Sequence, residues 1–214
     1  MCSNCMKESG CGCSCGSSSY GNNCVKLGPF VAVDVACLPK SEAKSPATGS
    51  IIPFSSGLTP IALSTVLGGL VGTPSIIGFG SAVPGVEILN NTLDLTSVIT
   101  ESFTAPSNLS ITAISATFTP TIGVTLLGNT SVKAQIFKAP AGSNLFTATD
   151  ATVTLAPAYT GPITTGLLAS ASATISPIEV AQGERLVMVY SLEVSGVSVA
   201  QVLTGTASAG ITIA

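Results

Sequence analysis

Between Lys44 and Glu87 the chain carries no ionisable side chain, yet it is cut by Pro46, Pro53, Pro60, Pro74 and Pro84 and by glycine at 49, 57, 68, 69, 72, 78, 80 and 85. No long helix survives that punctuation. An internal proline removes a ladder hydrogen bond and costs about 3 kcal/mol, and an internal glycine about 1 kcal/mol. A spanning helix needs about 20 unbroken apolar residues, so the stretch is not read as a membrane segment. It predicts short buried strands joined by tight turns.

The rest of the chain to residue 214 points the same way. Strand signals recur every ~8–12 residues, the spacing of an all-β sandwich or barrel. In SVKAQIFKA, Val132, Ala134 and Ile136 alternate with Lys133, Gln135 and Phe137; in ATVTL, Val153 and Leu155 alternate with threonine. RLVMVYSLE, residues 185–193, is apolar on both faces, which predicts a central strand covered on each side. The C-terminal TASAGITIA is small or β-branched to its end, and is expected to be locked into a sheet rather than to fray. Glu/Lys pairs at helical spacing are missing.

Charged residues make up 8% of the chain and apolar residues 46%, with a net charge of −3 and no histidine or tryptophan. An average chain has about 25% charged residues. The surface must therefore be covered by Ser, Thr, Asn and Gly, and weak self-repulsion favours association. No basic stretch exists to neutralise phosphates, so nucleic acid is not an expected partner.

Without histidine, neither a Ser-His-Asp triad nor a Cys-His pair can be built. The carboxylates of residues 51–214 are Glu87, Asp94, Glu101, Asp150, Glu179, Glu184 and Glu193, and none has acid/base or metal-ligand spacing. A glycosidase-like pair such as Glu179 with Glu193 is weighed against plain solvated surface carboxylates, and the plain reading is preferred. GLVGTPS lacks the Gly-Lys-Ser/Thr of a phosphate loop, and GFGSAVPG lacks the third glycine of a dinucleotide turn. Lys133 and Lys138 read as strand lysines that discourage edge pairing rather than as isopeptide donors. Asn90, Asn108 and Asn129 open Asn-x-Ser/Thr sequons, which a chain rich in Ser and Thr produces by chance. No enzyme activity and no cofactor are expected.

Three segments follow from composition. Residues 1–24 form a Cys/Gly/Ser tail holding Cys2, Cys5, Cys11, Cys13, Cys15 and Cys24; the seventh cysteine, Cys37, lies in a connector, residues 25–50, and residues 51–214 have none. The tail lacks a basic n-region and an apolar h-region, so no signal peptide is expected. Within the connector PFVAVDVACL alternates Val31, Val33 and Val35 with Ala32, Asp34 and Ala36, one short strand that must join a sheet. It either docks on the edge of a neighbouring subunit, with the three valines as anchors, or pairs with its own domain.

The tail's sulfur admits three uses: a thiolate metal cluster, pairing within one tail, or disulfides between chains. Cross-linking between chains is preferred. The domain is free of cysteine, so the sulfur serves an attachment outside it, and Cys-x-Cys neighbours bridge each other poorly because a disulfide wants Cα atoms about 4.4–6.8 Å apart. Cys24 to Ile51 is 51 − 24 = 27 steps, at most about 90 Å when extended, enough to reach a neighbour.

IPFSSG at 52–57, the Ala62-Leu63-Ser64-Thr65 strand, Gly69-Leu70 with Gly72, IGFGS at 77–81, the GERLVMV run at 183–189 and ASAGITI at 207–213 resemble the C-terminal domain of the exosporium glycoprotein BclB family. The likeness covers residues 51–214; its two ends are the specific part. It implies a spore-surface structural protein and, by analogy with related exosporium tips, a trimeric jelly-roll-like antiparallel β-sandwich. In that family the domain follows collagen-like Gly-x-y repeats; here a cysteine tail stands before it, laid out like the N-terminal arms of endospore appendage fibre subunits. The resemblance also implies a compartment that becomes oxidising when the mother cell lyses, which accounts for cysteines without a signal peptide. The expectation is a self-assembling subunit of a spore-surface fibre or exosporium layer. Its expected partners are copies of itself and, as a further candidate, an exosporium anchor protein. The alternative is an adhesin or tip domain tethered by its tail.

Overall fold

Runs in which small or β-branched residues alternate become strands. The longest, VTLLGNTSVKAQIFKA, is a strand of 16 residues, and LSITAISATFTP and VLTGTASAGITI are strands of 12 each. A computed structural model describes residues 49–66, 72–97, 102–196 and 199–214. The strands are β1 (Ser50–Ser55), β2 (Ile61–Ser64), β3 (Ser75–Ile77), β4 (Ala82–Val83), β5 (Ile88–Leu89), β6 (Thr92–Asp94), β7 (Phe103–Thr104), β8 (Leu109–Pro120), β9 (Val124–Ala139), β10 (Leu145–Thr154), β11 (Tyr159–Ile163), β12 (Ala169–Val180), β13 (Arg185–Ser195) and β14 (Val202–Ile213). No helix occurs among the described residues. The compact unit runs Thr48–Ala214.

Every strand-to-strand ladder is antiparallel, and two sheets result. The first has the order β1-β14-β8-β12, with β2 continuing the line of β1 along β14; the second has β4-β3-β13-β9-β10-β6-β5, with β11 and β7 as short additions. Taking β1, β3, β8, β9, β10, β12, β13 and β14 in chain order, the first sheet reads first-last-third-sixth and the second reads second-seventh-fourth-fifth. That interleaving of eight strands across two sheets is a jelly roll. The all-β antiparallel sandwich expected from the sequence is therefore present, with the first and last described strands paired from Ser50↔Ile213 to Ser55↔Ser208.

The main core lies between the sheets. It takes Ile111, Ile114, Ala116 and Phe118 from β8, Val132, Ala134 and Ile136 from β9, Leu186, Met188, Tyr190 and Leu192 from β13, and Ile211 from β14. These are the inward sets of strands with period two, stepped by one residue at the irregularity between Ile111 and Ile114 of β8. Two tyrosines carry hydroxyls into this apolar layer and find carbonyls there. Tyr190 Oη donates to Thr117 O (3.1 Å) and Ser208 O (2.8 Å) on the facing sheet, and Tyr159 Oη donates to Phe118 O (3.2 Å) and Leu167 O (2.9 Å). Phe118 and Tyr159 meet edge to face at 6.3 Å.

A second core lies on the outer face of the β13 sheet. Val187 and Val189 point there with Phe137 and Phe146, and Val86, Leu93 and Leu95 from the β4–β6 segment cover them. The doubly apolar strand read from RLVMVYSLE is thus covered on both sides. The roof closes through a two-residue hairpin, Asn90 and Asn91, whose φ values of 51° and 60° are the paired left-handed residues of a type I′ turn.

Candidate interaction surfaces

The seven cysteines, Cys2, Cys5, Cys11, Cys13, Cys15, Cys24 and Cys37, and the connector valines Val31, Val33 and Val35 lie outside the described residues. The sites to be built from geometry are therefore those of the sandwich.

Most described charges serve the fold. Lys138 Nζ donates to Glu184 Oε2 at 3.0 Å and to Glu179 O at 3.0 Å, and Lys133 pairs with Glu193 at 3.6 Å. Arg185 donates through Nε and Nη2 to Ser102 Oγ, through Nη1 to Ser143 O and Asn144 Oδ1, and stacks 5.3 Å from the Phe146 ring centre. Burial pushes the Glu184 carboxyl up, but the Ala181 N–H and Lys138 outweigh it and hold the group below its ordinary value. Asp94 is likewise held low by the Thr96 hydroxyl and N–H, 2.6 and 2.9 Å away. Glu179 and Glu193 stand on different sheets, and Glu179 accepts from Ser110 Oγ at 2.7 Å. Among the described residues no three His, Cys, Asp or Glu side chains gather as a metal site.

Three of the sequence motifs behind the resemblance form one corner of the fold. IPFSSG ends β1, and Ser55 bridges to Phe79 of IGFGS, with Ser55 N donating to Gly78 O (2.7 Å) and Gly80 N to Ser55 O (3.0 Å). Phe54 and Phe79 stack at 5.5 Å. ASAGITI pairs with β1, and the buried Ser56 Oγ accepts from Ala207 N at 3.1 Å. Gly57 needs a left-handed φ of +61°, and a Cβ there would run into the Gly80 carbonyl. This corner ties the two sheets together.

What remains are surfaces. The outer face of the β1-β14-β8-β12 sheet is a field of hydroxyls: Ser115, Thr117, Ser172, Thr174, Thr206 and Ser208 all point outward. Many bond laterally, Ser115 to Ser172 at 2.7 Å and Thr117 to Ser208 at 2.8 Å. A groove of about 290 Å³ crosses the face between Ile51, Ala113, Ser172 and Gly210; Ile51 is 69% exposed beside it. At the end of the sandwich where Ser64 pairs with Val202 and Gly205 with Pro120, the connections expose Val66, Ile122 and Leu167, and the start of β14 exposes Val202. Gln201 knits that end, accepting from Thr65 N and Leu127 N and donating back to Thr65 Oγ1 and Leu127 O. Sequence reading missed both surfaces as sites, although the Thr/Ser alternation in β8 and β14 carried the signal for the first.

The fold and its surfaces define an all-β antiparallel sandwich with a neutral, hydroxyl-lined face. No protein-family model matches the chain, and no solved structure matches it. Among curated proteins it is similar to "Collagen-like protein 1" of Acanthamoeba polyphaga mimivirus, 27% identical over 181 residues. That alignment covers 79% of this chain and 19% of the viral protein, so the chain spans about a fifth of the relative it matches.

Proposed function

We propose that the chain is a structural, self-assembling subunit of a spore-surface fibre or exosporium layer, joined to its neighbours by disulfides from the N-terminal cysteines. The observation that carries the reading is the division of labour along the chain. All seven cysteines fall within residues 2–37, while the sandwich offers a sparsely charged surface whose lysines and arginine are spent on internal contacts. A surface of that kind repels its copies little, and disulfides then make weak contacts permanent. The likeness to the BclB C-terminal domain supplies the spore surface, and a relative named as collagen-like is in keeping with the collagen-like repeats that precede the domain in that family. Copies of the chain associate as a homotrimer in this reading, and an exosporium anchor protein is a further partner.

Electrophoresis of the full chain in detergent tests it. Oxidised protein should run as a ladder that collapses with reductant. Monomer on the non-reducing gel, with zinc bound and seven free thiols by mass, would replace the disulfide assignment with a metal site. The aliphatic turns at the Val66–Ile122 end favour a second reading, a tethered adhesive tip. In that case the oxidised chain stays short and binds an apolar target through that end.

A further inference from the structure

β12 ends its sheet. It pairs with β8 on one side and, among the described residues, has no strand ladder on the other. Ser170 and Ala156 exchange both backbone hydrogen bonds, at 2.8 and 3.1 Å, across that outer side. In an antiparallel strand every second residue bonds the same way, so the N–H and C=O of Ser172 and Thr174 also point away from β8. Among the described residues nothing bonds them there.

The other edges are closed or short. β1 carries Pro53 and hands its end to Gly78 and Gly80; Ser64 of β2 bonds Thr73 and Gly72. β4 and β5 have two residues each, and β11 contains Gly161 and Pro162. From Ala171 to Ser176 β12 is uncharged and made mostly of small residues; only Pro177 and Glu179 blunt its far end. An open edge of that kind is a template for an added strand.

A strand laid along it would extend two rows. The inward row, Ala171, Ala173 and Ile175, is packed against the main core but only half-buried, and the outward row, Ser170, Ser172 and Thr174, is exposed. The stretch PFVAVDVACL carries the same two rows, Val31, Val33 and Val35 beside Ala32, Asp34 and Ala36. Resting on the assembly reading above, we infer that residues 30–36 of a second copy of this chain add as a strand to the β12 edge. The three valines complete the burial of Ala171, Ala173 and Ile175, and Asp34 falls in the hydroxyl row, where it keeps its water. Ser172 and Thr174 supply two N–H donors and two C=O acceptors for the new ladder. Leu38 to Gly49 is 49 − 38 = 11 steps, up to about 37 Å of chain to span from one copy to the next. Segment-to-edge contacts are heterologous, so they repeat head to tail, closing into a ring where the rotation between copies allows it and continuing as an open chain where it does not.

Hydrogen exchange of the full chain, assembled and dispersed, tests the inference. The amides of Ser172 and Thr174 should exchange at least about tenfold more slowly in the assembly. Val33→Asp should restore fast exchange while β13 stays protected, and Thr174→Pro should block the docking from the other side. Free exchange of Ser172 and Thr174 in disulfide-linked multimers would overturn the inference and leave the assembly reading standing; failure to form any linked multimer would overturn that reading itself. Protection that survives Val33→Asp means another occupant, such as β12 of a second copy. Protection independent of concentration in dispersed protein means the chain's own segment is bound. Either result rejects the inference.

Discussion

The two sheets share a core and differ in what their outer faces meet. Behind β13 and β9 the outer face is Val187, Val189, Phe137 and Phe146, and the β4–β6 segment roofs it. Behind β14 and β8 the outer face is Thr206, Ser208, Ser115 and Thr117, and no described segment covers it. An apolar second face must be covered within the chain, because exposed it costs about 25 cal/mol per Å². A hydroxyl face whose groups bond one another, as Ser115 does Ser172 and Thr117 does Ser208, loses little on meeting either water or a neighbour. The jelly roll thus has one outer face roofed by its own chain and one hydroxyl face that no described segment roofs.

Charge on each face should expose the contrast most sharply. Val187→Asp places a carboxylate under the roof and is expected to cost about 4 kcal/mol or more, whereas Thr206→Asp on the open face should change stability by less than about 0.5 kcal/mol. Denaturant titration of both variants reads the difference, and equal losses would mean that the two faces are equally buried.

The corner that joins the sheets comes next in size. Gly57→Ala sets a Cβ against the Gly80 carbonyl at a left-handed φ, and should cost about 2–3 kcal/mol. If Gly57→Ala melts like the parent, the Ser55–Phe79 bridge does not hold the sheets in register.

A smaller effect comes from the phenols that span the core. Burial pushes Tyr190 up, and Tyr159 is pushed up to about 12. The unfolded chain ionises near pH 10, so above that pH it binds fewer protons than the folded protein. The stability these groups confer is complete below about pH 10 and is lost as pH rises toward 12. Urea midpoints should fall over that interval, and Tyr190→Phe should flatten the fall, at a cost of about 1 kcal/mol at neutral pH for the lost carbonyl contacts.

Much of this fold was legible locally. RLVMVYSLE announced a strand covered twice, TASAGITIA a locked C-terminal strand, and the proline- and glycine-cut stretch the short strands β1 to β4. Strand order was not legible, because pairs such as Ser50↔Ile213 join residues at opposite ends of the domain and no local pattern encodes such a partner; the jelly roll entered through family likeness. The roof was hidden too. Asn90 and Asn91 read as part of a chance sequon, although Asn-Asn suits the left-handed φ pair of a tight hairpin. The β12 edge was invisible because ASASATIS looks like every other strand here until Ser170 is seen bonding Ala156 while Ser172 and Thr174 bond no described residue on that side. The cysteine tail, by contrast, is read wholly from sequence.

The central claim is that the tail joins one copy to another. Mixing full-length chains grown on ¹⁴N and ¹⁵N as reduced protein, oxidising the mixture, and sequencing the disulfide-linked peptides by mass measures that directly. The account predicts linked peptides from residues 1–37 that pair a light half with a heavy half. Peptides paired only light with light and heavy with heavy, or cysteines recovered as free thiols, would contradict it.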